Sequence, residues 1–529
     1  MTNPSFRLTK TSSFYYFVLA IIMAIGVLTR FFLINSQSLW IDEGYSIYFS
    51  DGSTIQEVLD RLNETWLSDR FRILYYLFLH YWGRVFGVSG LSLRIPSALF
   101  GIASILVVYF GALRNFGKST ATVSFFLISL SSYCIYYSQE ARDYSMLIFL
   151  IGLQLLFFLE LICQDKKYSR LFLYVLFGVV TATNIFANII NVFFTFALFL
   201  SHFLVTRKFF PVLKVWLPAA LFSFLPLWFY VDGVAGRSPD AIGVSRHGIS
   251  IFFNIAYSLS GLLSGTTFGP TLIDLKGSDK ISIVLQNIPY LLLSLILVIS
   301  VLALLALVAW EAFRWQSKIA ISIRILLLTF LFSFSFGVIL AISTGMNWLP
   351  RHIYYIWPIL AILIPSHLSE SWGKNMLRKK TLNFLLKFVL IVFLVVNFIS
   401  VHNFFFVAKY AKDDFRGAAN YANETLDEST TPVLIGGAGN NVLFDHYGSS
   451  ETLDGHMIVW RTQNDEIELA KGMYDLTNGS QNIILIANRQ HVIGPNDWLP
   501  SHMEPDYRLI KQVSSFQYFD IYHFKLRDY

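Results

Sequence analysis

Ile73-Leu74-Tyr75-Tyr76-Leu77-Phe78-Leu79-His80-Tyr81-Trp82-Gly83-Arg84-Val85-Phe86 is the stretch on which the topology turns. It reads as a helix. At 14 residues it falls short of the roughly 20 that a spanning helix needs, and it carries His80 and Arg84. Longer apolar segments surround it, at about 14–34, 94–113, 119–137, 144–163, 171–186, 188–205, 215–231, 286–310, 324–343, 351–367 and 382–400. The basic connections between them decide whether 73–86 crosses the bilayer. They are Arg114/Lys118, Lys166/Lys167/Arg170, Arg207/Lys208/Lys214, Arg314/Lys318/Arg324 and Lys374/Arg378/Lys379/Lys380. If 73–86 crossed, all five would lie opposite the basic N-terminus with its Arg7 and Lys10. If it lies along the surface as an interfacial helix, all five share the N-terminal side, as positive-inside loops do. The second arrangement predicts eleven spans, a cytoplasmic N-terminus and an extracytoplasmic C-terminus.

Composition agrees. Of 529 residues, 55% are hydrophobic and only 14% charged, where soluble domains run near 45–50% and about 25%. Fifty Phe and 27 Tyr supply lipid-facing bulk and interfacial belts. The 14–34 segment imitates a signal peptide, but it is long enough to span and lacks a small-residue cleavage pattern, so it reads as a retained first span. Cys134 and Cys163 both sit in apolar stretches, which argues for neither a disulfide framework nor a zinc site. The Lys and Arg gather at span ends rather than on one face, and no nucleic-acid partner is expected.

The outer segments are then a long first loop at 35–93, a short one at 138–143, one at 232–285, a tight one at 344–350, and everything after 401. The first loop holds Trp40, Asp42 and Glu43, then an amphipathic helix opening at Ser53 or Thr54 with Glu57 as capping partner. Loops of that length are usually functional. The tail changes character. Strands are expected at 432–436, 482–487 and 516–524, alternating with helices at 415–426 and 465–476. The expected organisation is therefore an α-helical transmembrane catalytic domain over 1–400 and a small extracytoplasmic α/β domain over 401–529. The loop Gly436-Gly437-Ala438-Gly439 lacks dinucleotide or P-loop spacing and reads as a strand-to-helix turn.

Charged groups cluster at the outer span ends. Asp42 and Glu43 follow the first span, and Arg94 starts the second. Glu140, Arg142, Asp143 and Tyr144 mark the outer end between the third and fourth, and Arg351, His352 and Tyr354 open the tenth. An arginine fork matches a phosphate diester bidentately and stays charged near a low-dielectric boundary. A carboxylate can take the proton of an acceptor hydroxyl while arginines stabilise the departing phosphate. Singly, span-end arginines are commonly snorkelling anchors and an acidic pair is a solvated loop; their coincidence at one depth carries the reading. Ion-coupled transport needs ionisable groups near the midplane, and no segment has an acidic residue near its centre. Asn184, Asn188 and Asn191 read as a hairpin turn. A transporter (flippase) of lipid-linked sugars is thus the alternative to an enzyme.

Three motifs occur in order: Ser38-Leu39-Trp40-Ile41-Asp42-Glu43-Gly44, Arg94-Ile95-Pro96-Ser97-Ala98-Leu99-Phe100-Gly101, and Tyr137-Ser138-Gln139-Glu140-Ala141-Arg142-Asp143-Tyr144. With Pro350-Arg351-His352-Ile353-Tyr354 they resemble the protein O-mannosyltransferase-like glycosyltransferases, family 39 of the GT-C superfamily, whose bacterial relatives include aminoarabinose transferases. The resemblance covers 35–145 and 350–360 and implies a GT-C bundle with juxtamembrane helices in the first outer loop. It also implies a polyprenyl-phosphate sugar donor, inversion by single displacement, and a hydroxyl acceptor on protein, glycolipid or polymer. By position, Asp42 would be the general base and Glu43 its supporting carboxylate. Arg94 and Arg142 would lie near the donor phosphate, with Arg351 a further member; Glu140, Tyr144, His352 and Tyr354 are other candidates. No cofactor or metal ligand is expected, although a divalent metal is left open. The bacterial relatives place the chain in an inner (plasma) membrane. One departure stands out. Where the family has a His-Pro-Pro-Leu-Tyr-Tyr-like run, this chain has Arg70-Phe71-Arg72-Ile73-Leu74-Tyr75-Tyr76. Arg70 and Arg72 there either add positive potential for a phosphate or anchor the loop at the headgroups.

Overall fold

A computed structural model describes residues 10–64, 70–163, 170–234, 251–276, 280–344, 348–369, 378–427, 429–436, 440–448, 457–459, 466–489, 498–503 and 505–527. Arg7, Lys166, Lys167, Lys374 and residues 437–439 of the glycine loop lie outside them. Among the described residues, seven helices are long and apolar enough to cross a membrane. They are Gly90–Phe116, Tyr144–Cys163, Arg170–Ala187, Phe209–Gly233, Ile288–Arg314, Lys318–Ser343 and Lys379–Phe406. An eighth candidate is broken: Lys118–Leu130 and Ser132–Ser138 meet at 55°. Three shorter apolar helices, Tyr15–Phe31, Asn191–Thr206 and Ile356–Leu368, complete the set. Each falls on one of the eleven segments expected from the sequence.

The 73–86 stretch forms the helix Ile73–Phe86 and is not one of the candidate spans. Ile73, Tyr76 and His80, with Tyr75 and Leu79, make its buried side, while Tyr81, Val85 and Phe86 are exposed. The buried side packs on the helices Ile41–Ser50 and Ile55–Glu64, and His80 Nδ1 lies 3.0 Å from the Ser50 carbonyl. Glu57 accepts from the Ser53 amide at 2.7 Å, the capping contact the sequence suggested.

The break at Ser131 shapes the outer surface. Ser131 is extended (φ −63°, ψ 116°) and its hydroxyl accepts the Cys134 amide, so the chain restarts as a new helix. Gly101 makes room for that helix, since a Cβ there would sit 2.1 Å from Ser138 Oγ. Asn397 Oδ1, on the last long helix, accepts from both the Ser132 amide and hydroxyl, at 2.8 and 2.7 Å.

The tail forms a mixed five-stranded sheet in the order β2-β1-β3-β5-β4, with β1 Thr430–Gly436, β2 Met457–Val459, β3 Asn482–Asn488, β4 Tyr507–Phe516 and β5 Phe519–Leu526. β1 is parallel to β2 and β3, whereas β5 is antiparallel to both β3 and β4. The strands expected at 432–436 and 482–487 are present, but 516–524 straddles a hairpin. Phe516 ends β4, Tyr518 turns with φ 60°, and β5 begins at Phe519. β4 is a largely exposed edge strand carrying Arg508 and Lys511, so it shows no alternating apolar pattern to read. Period-2 alternation splits the sheet's side chains between two cores. Val433, Ile435, Ile483 and Leu485 pack within the tail, whereas Leu434, Ile484, Ile486 and Ile521 belong to the core continuous with the helical bundle. At that junction Gly44 is needed, because a Cβ would lie 2.9 Å from Leu443 Cγ.

Candidate active site

Trp40 stops short of the helix Ile41–Ser50 in an extended conformation, and its carbonyl accepts the amides of Glu43 and Gly44 at 2.8 and 2.9 Å. The next two acidic residues therefore occupy the first helical turn, where the helix dipole favours negative charge. They point to different surroundings.

Glu43 is fully buried. Arg94 Nε and Nη2 donate to its two oxygens at 2.7 Å each, the Ala141 amide donates at 2.9 Å, and Lys412 Nζ at 3.1 Å. Burial works to raise the Glu43 pKa, but Arg94 and Lys412 outweigh it and hold the carboxyl at about 2. Arg94 is equally enclosed. Its remaining N–H groups go to the carbonyls of Ile34, Gln37 and Ser38 at 2.8 to 2.9 Å. All five guanidinium donors are thus taken. The family resemblance implied a place for Arg94 near the donor phosphate; in the structure it has no donor left to offer one, and it fastens the 35–93 loop.

Asp42 keeps 19% of its side-chain surface exposed and pairs with Arg351 Nη1 at 2.5 Å. Its backbone carbonyl accepts from Arg142 Nη1 at 2.9 Å, and that same nitrogen reaches the Tyr76 hydroxyl at 3.1 Å. Arg142 is buried. It holds the backbone of Asp42 rather than facing open space.

Beside this pair lies a cavity of about 170 Å³, lined among others by Trp40, Glu140, Arg351, Lys412, Arg489 and Tyr518. That is room for several waters, and so for a phosphate group. Arg351 Nε is buried there without a hydrogen-bond partner. Lys412 Nζ stands 5.9 Å from the Tyr136 ring, and burial lowers its pKa against the pull of Glu43. Arg489 grips Asp413 with two 2.7 Å bonds. Glu140 is 1% exposed, and neither carboxyl oxygen has a hydrogen-bond partner among the described residues. Burial pushes its pKa up to about 8, with Glu43 and Asp42 adding to the rise and Lys412 and Arg351 opposing it.

The remaining sequence candidates lie beside the cavity rather than in it. Tyr144 is buried with its hydroxyl unpartnered among the described residues, and Arg72 lies 5.9 Å over its ring. Tyr354 turns away, donating to Asn191 Oδ1 at 2.8 Å within the bundle. His352 Nδ1 accepts the Leu349 amide at 3.2 Å and so caps its own turn. Asn188 and Asn191 do form the expected turn, and Asn188 also donates to Asp143 at 3.1 Å. Arg72 Nε is 3.6 Å from Asp143 and Arg70 stacks 4.8 Å over Phe229, so the two arginines of the altered motif face different ways. Lys412 and Arg489 were not anticipated. Both come from the tail, and the only signal was Lys409-Tyr410-Ala411-Lys412-Asp413-Asp414, a charged run directly after the last span. No group of three His, Cys, Asp or Glu side chains among the described residues is arranged to hold a metal ion.

Residues 73–230 match the family model for dolichyl-phosphate-mannose-protein mannosyltransferase. A search of curated protein sequences finds no match. Among solved structures, ArnT from Cupriavidus metallidurans in the apo state aligns with TM-score 0.59 at 13% identity, over 97% of this chain and 98% of that one. The same protein bound to undecaprenyl phosphate aligns at 0.56, with the same identity and coverage. The mycobacterial arabinofuranosyltransferase AftD aligns at 0.51 and 13% identity, over 97% of this chain and 41% of that one. The chain has the GT-C glycosyltransferase fold. The helices Ile41–Ser50 and Ile73–Phe86 of the 35–93 loop pack on each other, and the resemblance drawn from the motifs is supported by a family model whose match begins at residue 73.

Proposed function

We propose that this chain is an inverting glycosyltransferase that moves a sugar from a polyprenyl-phosphate carrier to an acceptor hydroxyl on the extracytoplasmic face of a multi-pass membrane domain. The observation that carries it is the Asp42–Arg351 pair at 2.5 Å beside the cavity. A partly exposed carboxylate there stands next to a guanidinium with a free Nε.

In this reading the acceptor oxygen attacks the anomeric carbon and Asp42 takes its proton. The bond from that carbon to the phosphate oxygen breaks, and its electrons stay on the phosphate. Arg351 and Lys412 stabilise the charge that develops there. Single displacement inverts the anomeric centre. Glu43 and Arg94 hold Asp42 in place through the loop, and Arg142 holds its carbonyl.

Purified protein in lipid vesicles, given radiolabelled polyprenyl-phosphate sugar, tests this. Label appearing covalently on an acceptor, with the opposite anomeric configuration, is the expected result. Carrier crossing the bilayer with no transfer would favour the transporter instead.

A further inference from the structure

Glu140 is an acidic side chain of the cavity with no hydrogen-bond partner among the described residues. An unpartnered buried carboxylate is costly, and such a group normally keeps its proton. The loop that carries the carboxyl is fastened at the residues on either side of it. Gln139 donates to the carbonyls of Thr29 and Phe32 at 2.8 and 2.9 Å. The Ser46 hydroxyl donates to the Ala141 carbonyl at 2.6 Å, and the Ser97 hydroxyl to that of Arg142 at 3.1 Å. Glu140 is thus a buried, unpartnered carboxyl on a fastened loop, lining a cavity that it shares with Arg351 and Lys412.

Charge points to what it meets. Lys409 pairs with Asp274, Arg489 with Asp413 and Arg351 with Asp42. Arg94 and Lys412 together face the single carboxylate of Glu43. With Glu140 neutral, these groups carry one positive charge in excess, and the buried Arg142 beside Asp42 adds another; ionising Glu140 removes one of the two. A phosphodiester brings one negative charge.

We propose that Glu140, held as a carboxylic acid, donates a hydrogen bond to a non-bridging phosphate oxygen of the lipid carrier seated between Arg351 and Lys412. This rests on the glycosyltransferase reading and names a residue of its phosphate site. As the bond from sugar to phosphate breaks, the phosphate gains a second negative charge and the hydrogen bond strengthens. Glu140 keeps its proton throughout, and the acceptor's proton goes to Asp42.

The arrangement has a pH signature. The groups acting on Glu140 are Lys412 from the tail, Asp42 and Glu43 from the Ile41–Ser50 helix, and Arg351 from the Pro350–Ile353 turn. Arg94 and the tyrosines 75, 133, 136 and 137 are also within its field. Above about pH 8 Glu140 loses its proton, and a repelling anion replaces the donor.

The test measures binding of undecaprenyl phosphate, with undecaprenol as the control lacking phosphate, to full-length protein in nanodiscs between pH 6.5 and 9.5. Wild-type affinity should fall about tenfold per pH unit above roughly pH 8, and undecaprenol binding should stay flat. Glu140→Gln keeps an N–H donor with no charge, so its affinity should hold across the range. Glu140→Ala should bind about ten- to a hundredfold more weakly at pH 7. Equal alkaline falls in wild type and Glu140→Gln would overturn the proposal, as would full affinity in Glu140→Ala. A flat wild-type profile to pH 9.5 would overturn it without any variant. Failure of sugar transfer with the binding pattern intact would count against the glycosyltransferase reading alone.

Discussion

Arg94 closes on Glu43 with two 2.7 Å hydrogen bonds in a pocket sealed from solvent, while Asp42, one residue earlier, is left at the edge of a cavity in the grip of Arg351. The acidic doublet is therefore divided between two tasks. One carboxylate is spent on holding the loop, and its neighbour is left partly exposed beside the cavity.

Removing the buried member should cost stability before it costs catalysis. Glu43→Gln leaves Arg94 and Lys412 facing an uncharged group, and breaking a buried pair typically costs about 3–5 kcal/mol. Because the Glu43 pKa is held at about 2 in the fold, its contribution is present above the ordinary carboxyl range and is lost as pH falls from about 4.5 towards 2. Thermal unfolding in detergent should show a lower melting temperature for the variant at pH 7 and a smaller acid sensitivity than wild type. An unchanged melting temperature would refute the structural assignment.

Asp42→Asn should behave in the opposite way. The fold should survive and undecaprenyl phosphate binding should change little, while kcat for sugar transfer drops about 10²- to 10⁴-fold. Radiolabel transfer alongside lipid binding checks this, and turnover near the wild-type rate would remove Asp42 as the base.

The two remaining arginines separate by kinetics. Arg351 faces the cavity, so Arg351→Ala should raise the donor KM about tenfold or more. Arg142 reaches the site only through the carbonyl of Asp42, so Arg142→Ala should lower kcat with donor KM nearly constant. Steady-state kinetics over a range of donor concentrations distinguishes them; a large KM effect in Arg142→Ala would return it to the phosphate site.

Lys412 makes the tail part of the site. Lys412→Met keeps the bulk of the side chain and leaves Glu43 its pair with Arg94, so the protein should fold and elute normally. Its affinity for undecaprenyl phosphate should drop about tenfold or more. Wild-type affinity in that variant would confine Lys412 to a structural role.

Transfer should also persist after exhaustive treatment with a chelator, since every step of the proposed chemistry is assigned to the side chains of Asp42, Arg351, Lys412 and Glu140. Activity lost to the chelator and restored by a divalent cation would show that a metal takes part.

Much of this arrangement is legible from residue patterns. Spans announce themselves through long apolar runs, and the 14 residues of 73–86 fall outside the helices long and apolar enough to cross. Asp42, Glu43, Arg94, Arg142 and Arg351 can be picked out because charge at the end of a span is conspicuous. Their division of labour cannot. Whether an arginine is saturated depends on carbonyls such as Ile34, Gln37 and Ser38, and every residue has one. Lys412 and Arg489 were hidden for another reason. They lie in a polar stretch where basic residues are ordinary, and it takes tertiary contacts, such as Leu443 on Gly44 and the Tyr447 hydroxyl on the Leu39 amide, to bring the tail over the loop. β4 escaped notice because an exposed edge strand has no buried face to give it a pattern.

The ligands of Glu43 arrive from widely separated parts of the chain: Arg94 from the start of one span, Ala141 from the loop between two others, and Lys412 from beyond the last. A ribosome delivers them in that order. Until residue 412 has been made, the carboxylate lacks its final partner and the wall of the cavity next to Asp42 is missing. A chain clipped before residue 412 would carry the acidic doublet and the span-end arginines, yet leave Glu43 short of a partner and the cavity open on one side.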